Sequence, residues 1–222
     1  MLRRVLACSL VIFTTAACTE SNGASDGGSR FILSADYPLP VVESDQPELP
    51  ATVTDASDTS VTVSDASRIV VLNQAVAEIV ISLGMKENII GRDATTTLEA
   101  LQAVEKVSNG HDVSAESVLS LRPTVVIGDT RTGPPEAIEQ LRGAGISVVI
   151  APEVWTLSAL PARVTMIASA LGVPRAGERL VALSENAIDD ALKNVGAANS
   201  ALRVAFLYVR GTASVYLLGG EG

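Results

Sequence analysis

Cysteine is confined to the first eighteen residues of this sequence, at Cys8 and Cys18. Everything downstream lacks a thiol, which excludes a disulfide, a cysteine metal site and a cysteine nucleophile. Histidine occurs once, at His111, so the His and carboxylate clusters that hold zinc or manganese are not expected. Aromatic residues make up 3% of the chain, which argues against nucleic-acid stacking surfaces and lectin-like sites. Positive charge is also short. Lys and Arg number 16 against 25 Asp and Glu, a formal charge of −9, and an acidic surface repels DNA and anionic lipid. Nucleic acid is therefore not an expected partner. Catalytic signatures are missing as well: there is no G-x-S-x-G elbow, Walker loop or complete G-x-G-x-x-G. Ser108 or Ser114, His111 and Asp112 lie too close in sequence to form a triad, so an enzyme is not expected.

The one long apolar stretch is at the start. "MLRR" is a basic opening and "VLACSLVIFTTAA" a short apolar run, the pattern of a signal peptide over residues 1–17. It is too short for an ordinary transmembrane helix, and no later run approaches that length, so a soluble body is expected. "TTAAC" resembles a bacterial lipobox, with Cys18 as the lipid-bearing residue, although Thr15 stands where Leu is usual. An ordinary signal peptide cut near Ala17 is the alternative. Either cut removes Arg3 and Arg4 and leaves the remainder more acidic. Residues 18–50 mix Ser, Gly, Asp and Pro without a period, the composition of a flexible stalk behind a lipid anchor. The expected location is the extracytoplasmic face of the cell membrane.

What remains is apolar and periodic; hydrophobic residues form 47% of the chain. In "TVTDASDTSVTVSDAS", Val53, Val61 and Val63 alternate with polar residues around a polar centre, a β-hairpin pattern. From residue 68 the rhythm is βα. "RIVVL", "NIIG", "TVVIG" and "SVVIA" read as short buried strands. "NQAVAEIVISLG", "TTTLEALQAV", "SAESVLSLRP" and "PPEAIEQLRGAG" read as helices, with Ser114 as an N-cap and Gly84 as a stop. Apolar strands separated by helices predict a mostly parallel sheet covered on both faces, an α/β lobe over residues 51–154. Residues 155–198 read as a long spine helix region broken at "GVPRAGE", with Leu160, Val164, Ile167 and Leu171 on one stripe and Leu180, Leu183, Ile188 and Leu192 on another. Residues 199–222 open a second lobe with "LRVAFLYVRG". A lone strand cannot bury its faces, so the chain is expected to be a truncated product or a fragment of a longer one.

Ligands of open α/β sheets bind at the carboxyl ends of the strands. At those ends the sequence places Asn73 and Gln74, then Arg92, then Asp129, Thr130 and Arg131, then Trp155; His111 precedes the helix capped by Ser114. One edge thus gathers a histidine, two arginines and a tryptophan, which suits an apolar cleft that accepts anions. Solvated loop cations and a solvated loop histidine are the plainer readings of the same residues. "EALQAVEKV" reads as an amphipathic surface helix.

The order of these parts resembles the helical-backbone class of ABC-transporter substrate-binding proteins over residues 52–222. The stretches that carry it are "SRIVVLNQAVAEIVISLGMKENIIGR", "SAESVLSLRPTVVIG", "IEQLRGAGISVVI" and "VTMIASALGV", with Thr124 where Asp is usual. "NGHD" and "AFLYVRGTASVYLLGG" are similar to haem-binding lipoproteins of actinobacterial haem uptake. The resemblance implies that haem is held between two lobes, with His111 and Tyr208 as axial ligands and Arg210 supporting the tyrosine. Tyr216 is a competing ligand, less favoured because only Tyr208 has an Arg two residues on. Arg92 and Arg131 would meet the haem propionates, beside Trp155 and Asn73, and Glu116 would dock on the permease. A monomer is expected.

The chemistry of that pair is coherent. Free tyrosine has a pKa of about 10, so it must lose a proton to bind ferric iron, and an adjacent guanidinium favours the phenolate. Residues two apart on a strand face the same side. The alternatives are a siderophore or corrinoid receptor of the same class, which needs no axial histidine, and a degenerate truncated lipoprotein.

Overall fold

The computed structural model describes residues 39–43, 45–109, 112–195, 206–210 and 214–218. A hairpin comes first, formed by β1 (Ala51–Thr54) and β2 (Ser60–Val63). Val53 lies opposite Val61 and Ala51 opposite Val63, so one face turns inward while Thr52 and Thr62 share a hydrogen bond on the outer face.

A parallel sheet follows, in the order β5 (Glu105–Lys106), β4 (Ile89–Arg92), β3 (Ile69–Val71), β8 (Val125–Asp129) and β9 (Ser147–Ala151). Its central strands are β3 (Ile69–Val71) and β4 (Ile89–Arg92), separated by α1 (Gln74–Ser82). The edge strand β5 (Glu105–Lys106) leads into a small antiparallel pair, β6 (Ser108–Asn109) and β7 (Asp112–Val113). Then come α2 (Ala115–Ser120), β8 (Val125–Asp129), α3 (Pro135–Gly143) and β9 (Ser147–Ala151). The apolar strand runs supply two cores. Ile69, Val71, Val125, Ile127, Val149 and Ala151 face one layer with residues of α1; Val70, Val126, Val148 and Ile150 face the other with residues of α2 and α3. Alternation along each strand delivers a buried side chain to both layers, each contributing about 1.5–3 kcal/mol relative to exposure.

The first layer is completed by α4 (Leu160–Ala170) and α5 (Pro174–Val195). The break expected at "GVPRAGE" is a single turn: Gly172 takes a left-handed φ of 72° and Pro174 restarts the helix at once. At about 1.5 Å per residue the second helix is roughly 33 Å long. Val164 and Ile167 of the predicted first stripe are buried, whereas Leu183 and Leu192 of the second are exposed. Leu160, Val164, Val181 and Ile188 line a groove of about 420 Å³ between the two helices. Last comes an antiparallel pair, β10 (Phe206–Arg210) and β11 (Ser214–Leu218), with Tyr208 opposite Tyr216. Among the described residues no helix is long and apolar enough to cross a membrane.

Two expectations are corrected. The helix read over "TTTLEALQAV" and "EALQAVEKV" is a single 3-10 turn at Glu99–Leu101 followed by an edge strand. Three successive threonines are poor helix formers, and Thr95 and Thr96 instead donate their hydroxyls to Asp93. The stalk also ends earlier than expected. Val42 is buried, its N–H donates to Ser82 O, and the Glu48 N–H donates to Gly172 O. Arg179 reaches Glu43 O and Asp45 Oδ2. Residues 39–43 and 45–50 therefore belong to the domain.

Candidate functional site

The carboxyl ends of β3, β8 and β9 are tied together by side chains. Asn73 caps α1, accepting from the Val76 N–H at 2.8 Å, and donates Nδ2 to Asp129 Oδ2 at 2.7 Å. Asp129 closes β8 and is almost fully buried. Its Oδ2 also lies 3.4 Å from Arg163 Nη2, a buried guanidinium on α4. Desolvation of two charges costs several kcal/mol per ion, and their attraction offsets this only with further hydrogen bonds. The Asn73 carboxamide supplies one.

Arg131 sits on a loop fixed by Asp129. The Arg131 N–H donates to Asp129 Oδ1, the Asp129 N–H to Thr132 Oγ1, and the Thr132 N–H to Asp129 O. The Thr132 side chain folds so closely over Gly128 that a methyl there would meet its oxygen at 2.5 Å, so glycine is required for this turn. The Arg131 guanidinium has Nε 3.0 Å from Glu153 Oε1 and Nη2 3.6 Å from Asp129 Oδ2. The same loop touches the strand that follows His111: the Val113 N–H donates to Gly133 O, and Asp112 bridges Gly133. Trp155, just beyond Glu153, is 80% exposed.

Of the sequence-predicted residues, the structure thus brings Asn73 into a direct bond with Asp129 and sets Arg131 against Asp129 and Glu153, while Trp155 stands free on the loop after β9. Arg92 is a correction. It is 2% exposed, with Nε donating to Leu101 O and Nη1 to Thr96 O and Asp93 O. Its guanidinium is used to hold the loop after β4 and is not presented to a cleft. Glu116 is exposed on α2. Tyr208 and Arg210 lie on β10, with Arg210 opposite Ser214. His111 and Cys18, with the signal segment and most of the stalk, lie outside the described residues. Glu153 and Arg163 were missed by sequence reasoning. For Arg163 a signal existed, since it lies at i+3 from Leu160 and i−4 from Ile167, a charge on an otherwise apolar stripe.

A second ionic tie joins the hairpin turn to α3. Asp55 has no exposed side-chain surface and pairs with Arg142 at 3.0 Å. Burial pushes its pKa up. Hydrogen bonds from the Ser57 hydroxyl and from the N–H groups of Thr59, Ser57 and Ile150 outweigh that and hold it below its ordinary value.

Residues 69–222 match the model of a family described as periplasmic binding protein. The chain belongs to this family. Among curated proteins it is similar to an uncharacterized ABC transporter substrate-binding lipoprotein, YvrC of Bacillus subtilis (strain 168), with 30% identity over 126 residues, 55% of this chain and 40% of the relative. Among solved structures, the heme binding protein HmuT superposes with a TM-score of 0.73 at 35% identity, covering 82% of this chain and 60% of that one. HmuT has also been solved with a histidine, a tyrosine, or an arginine two positions beyond that tyrosine replaced. The periplasmic heme-binding protein RhuT from Roseiflexus sp. RS-1 gives a TM-score of 0.64 at 37% identity, covering 69% and 59%. The chain therefore spans about two fifths of the curated relative and three fifths of these solved ones.

Proposed function

We propose that this periplasmic binding protein is a haem receptor. It is anchored through Cys18 on the extracytoplasmic face of the membrane and hands haem to an ABC permease. In this reading His111 and Tyr208 take the two axial positions of the iron. Arg210 stabilises the phenolate, because a fixed cation two residues along the strand lowers the cost of removing the tyrosine proton. Neutral imidazole supplies the opposite position. Arg131 faces the carboxylates of the ligand, Trp155 its apolar body, and Asn73 keeps the strand ends in place. Glu116 is the permease contact on the first lobe.

The observation that carries the reading is a coincidence of three residue types. The only histidine of the chain, and a tyrosine with an arginine two residues on, correspond in kind to the residues replaced in HmuT, and the tyrosine and arginine also in their spacing. Titration of the chain with ferric haem, followed by visible absorption, tests it. A saturable one-to-one change is expected, weaker for this chain than for one that carries both lobes. Saturable binding of a ferric siderophore or a corrinoid, with none of haem, would overturn the haem reading in favour of another ligand.

A further inference from the structure

We infer that Glu153 is an internal competitor for the anion site that Arg131 provides. The inference rests on the haem reading and names what controls that ligand's carboxylate contact. Arg131 is immobilised at its backbone by Asp129 and Thr132, yet its side chain is 62% exposed. Asp129 is already served by Asn73 and Arg163. Glu153 has no ion-pair partner besides Arg131 among the described residues.

Two cations, Arg131 and Arg163, face two anions, Asp129 and Glu153, so the cluster is electrically balanced. A carboxylate arriving at Arg131 adds uncompensated negative charge unless one anion leaves. Asp129 is buried and held by Asn73, Arg163 and the Arg131 N–H; Glu153, with 18% of its side chain exposed and Arg131 as its ion-pair partner, is the anion that can leave. The site is therefore built for exchange of Glu153 for a ligand carboxylate, beside the exposed indole of Trp155. That combination fits a flat apolar ligand carrying carboxylates at one edge.

The test compares the full chain with Glu153→Gln and Arg131→Gln, each titrated with ferric haem and with the dimethyl ester of ferric haem, which lacks free carboxylates. Glu153→Gln should tighten haem binding by up to about fivefold, the upper end for one partly exposed ion pair, and leave the ester unchanged. Arg131→Gln should weaken haem and narrow the difference between haem and ester. Weaker haem binding by Glu153→Gln, or equal effects on haem and ester, overturns the competitor role while the haem reading stands. No saturable haem binding by the parent chain overturns the haem reading and this inference with it.

Discussion

Asn73 and Asp129 share a hydrogen bond of 2.7 Å that joins the cap of α1 to the end of β8. The same carboxamide accepts from the Val76 N–H, so one side chain starts a helix and satisfies a buried carboxylate. Asn73→Ala removes both and should cost about 2 kcal/mol in urea unfolding, roughly 1 from the cap and the rest from Asp129. Asn73→Ser keeps the cap and should fall between. Equal stability of Asn73→Ala and the parent would show that water replaces both contacts.

Asp129 and Arg163 should behave as a coupled pair. Arg163→Met leaves Asp129 buried with its main cation gone and is expected to cost about 3 kcal/mol. Adding Asp129→Asn should restore part of that loss, because no buried carboxylate is then left without the Arg163 guanidinium. A double variant as destabilised as the sum of the single ones would contradict the coupling.

The lowered pKa of Asp55 has a defined pH window. An unfolded aspartate titrates at about 3.9, and the folded carboxyl below that. Its stabilising contribution is complete above the unfolded value and is lost as pH falls through the folded one. Asp55→Asn should therefore lower stability at neutral pH and flatten the acid side of the stability profile. An unchanged acid slope would remove Asp55 from the account.

Gly172 and Gly145 separate two costs. Both have positive φ, 72° and 83°. A methyl at Gly172 would meet Glu48 O at 2.8 Å and Glu48 N at 2.9 Å, whereas nothing lies within 4 Å at Gly145. Gly145→Ala should cost about 1–2 kcal/mol from backbone strain alone. Gly172→Ala should cost more, since the Glu48 N–H to Gly172 O bond must also shift. Equal thermal unfolding of the two variants would mean that the segment ending at residue 49 yields freely.

The parts of the fold that the sequence reveals are those where a local pattern decides. "RIVVL", "TVVIG" and "SVVIA" are short, wholly apolar and bounded by helices, and they form the parallel sheet. The stretch 95–104 misled because its apolar spacing imitates a helix, while its structure is set by the buried Arg92 guanidinium gathering carbonyls from Asp93, Thr96 and Leu101. No local signal announces that Arg92 turns inward or that Arg179 draws residues 43 and 45 onto α5. The strand-end location of Arg131 and Asn73 was legible, but the contacts of Asn73 and Arg163 with Asp129 and of Glu153 with Arg131 were not, because they join residues far apart in the chain.

The most direct test of the haem account is the visible spectrum of the chain loaded with ferric haem, beside His111→Ala and Tyr208→Phe. The account predicts that the parent saturates at one haem, that Tyr208→Phe loses the phenolate-to-iron charge-transfer band, and that His111→Ala keeps that band with a shifted Soret maximum. Spectra identical to the parent in both variants would contradict axial coordination by these residues.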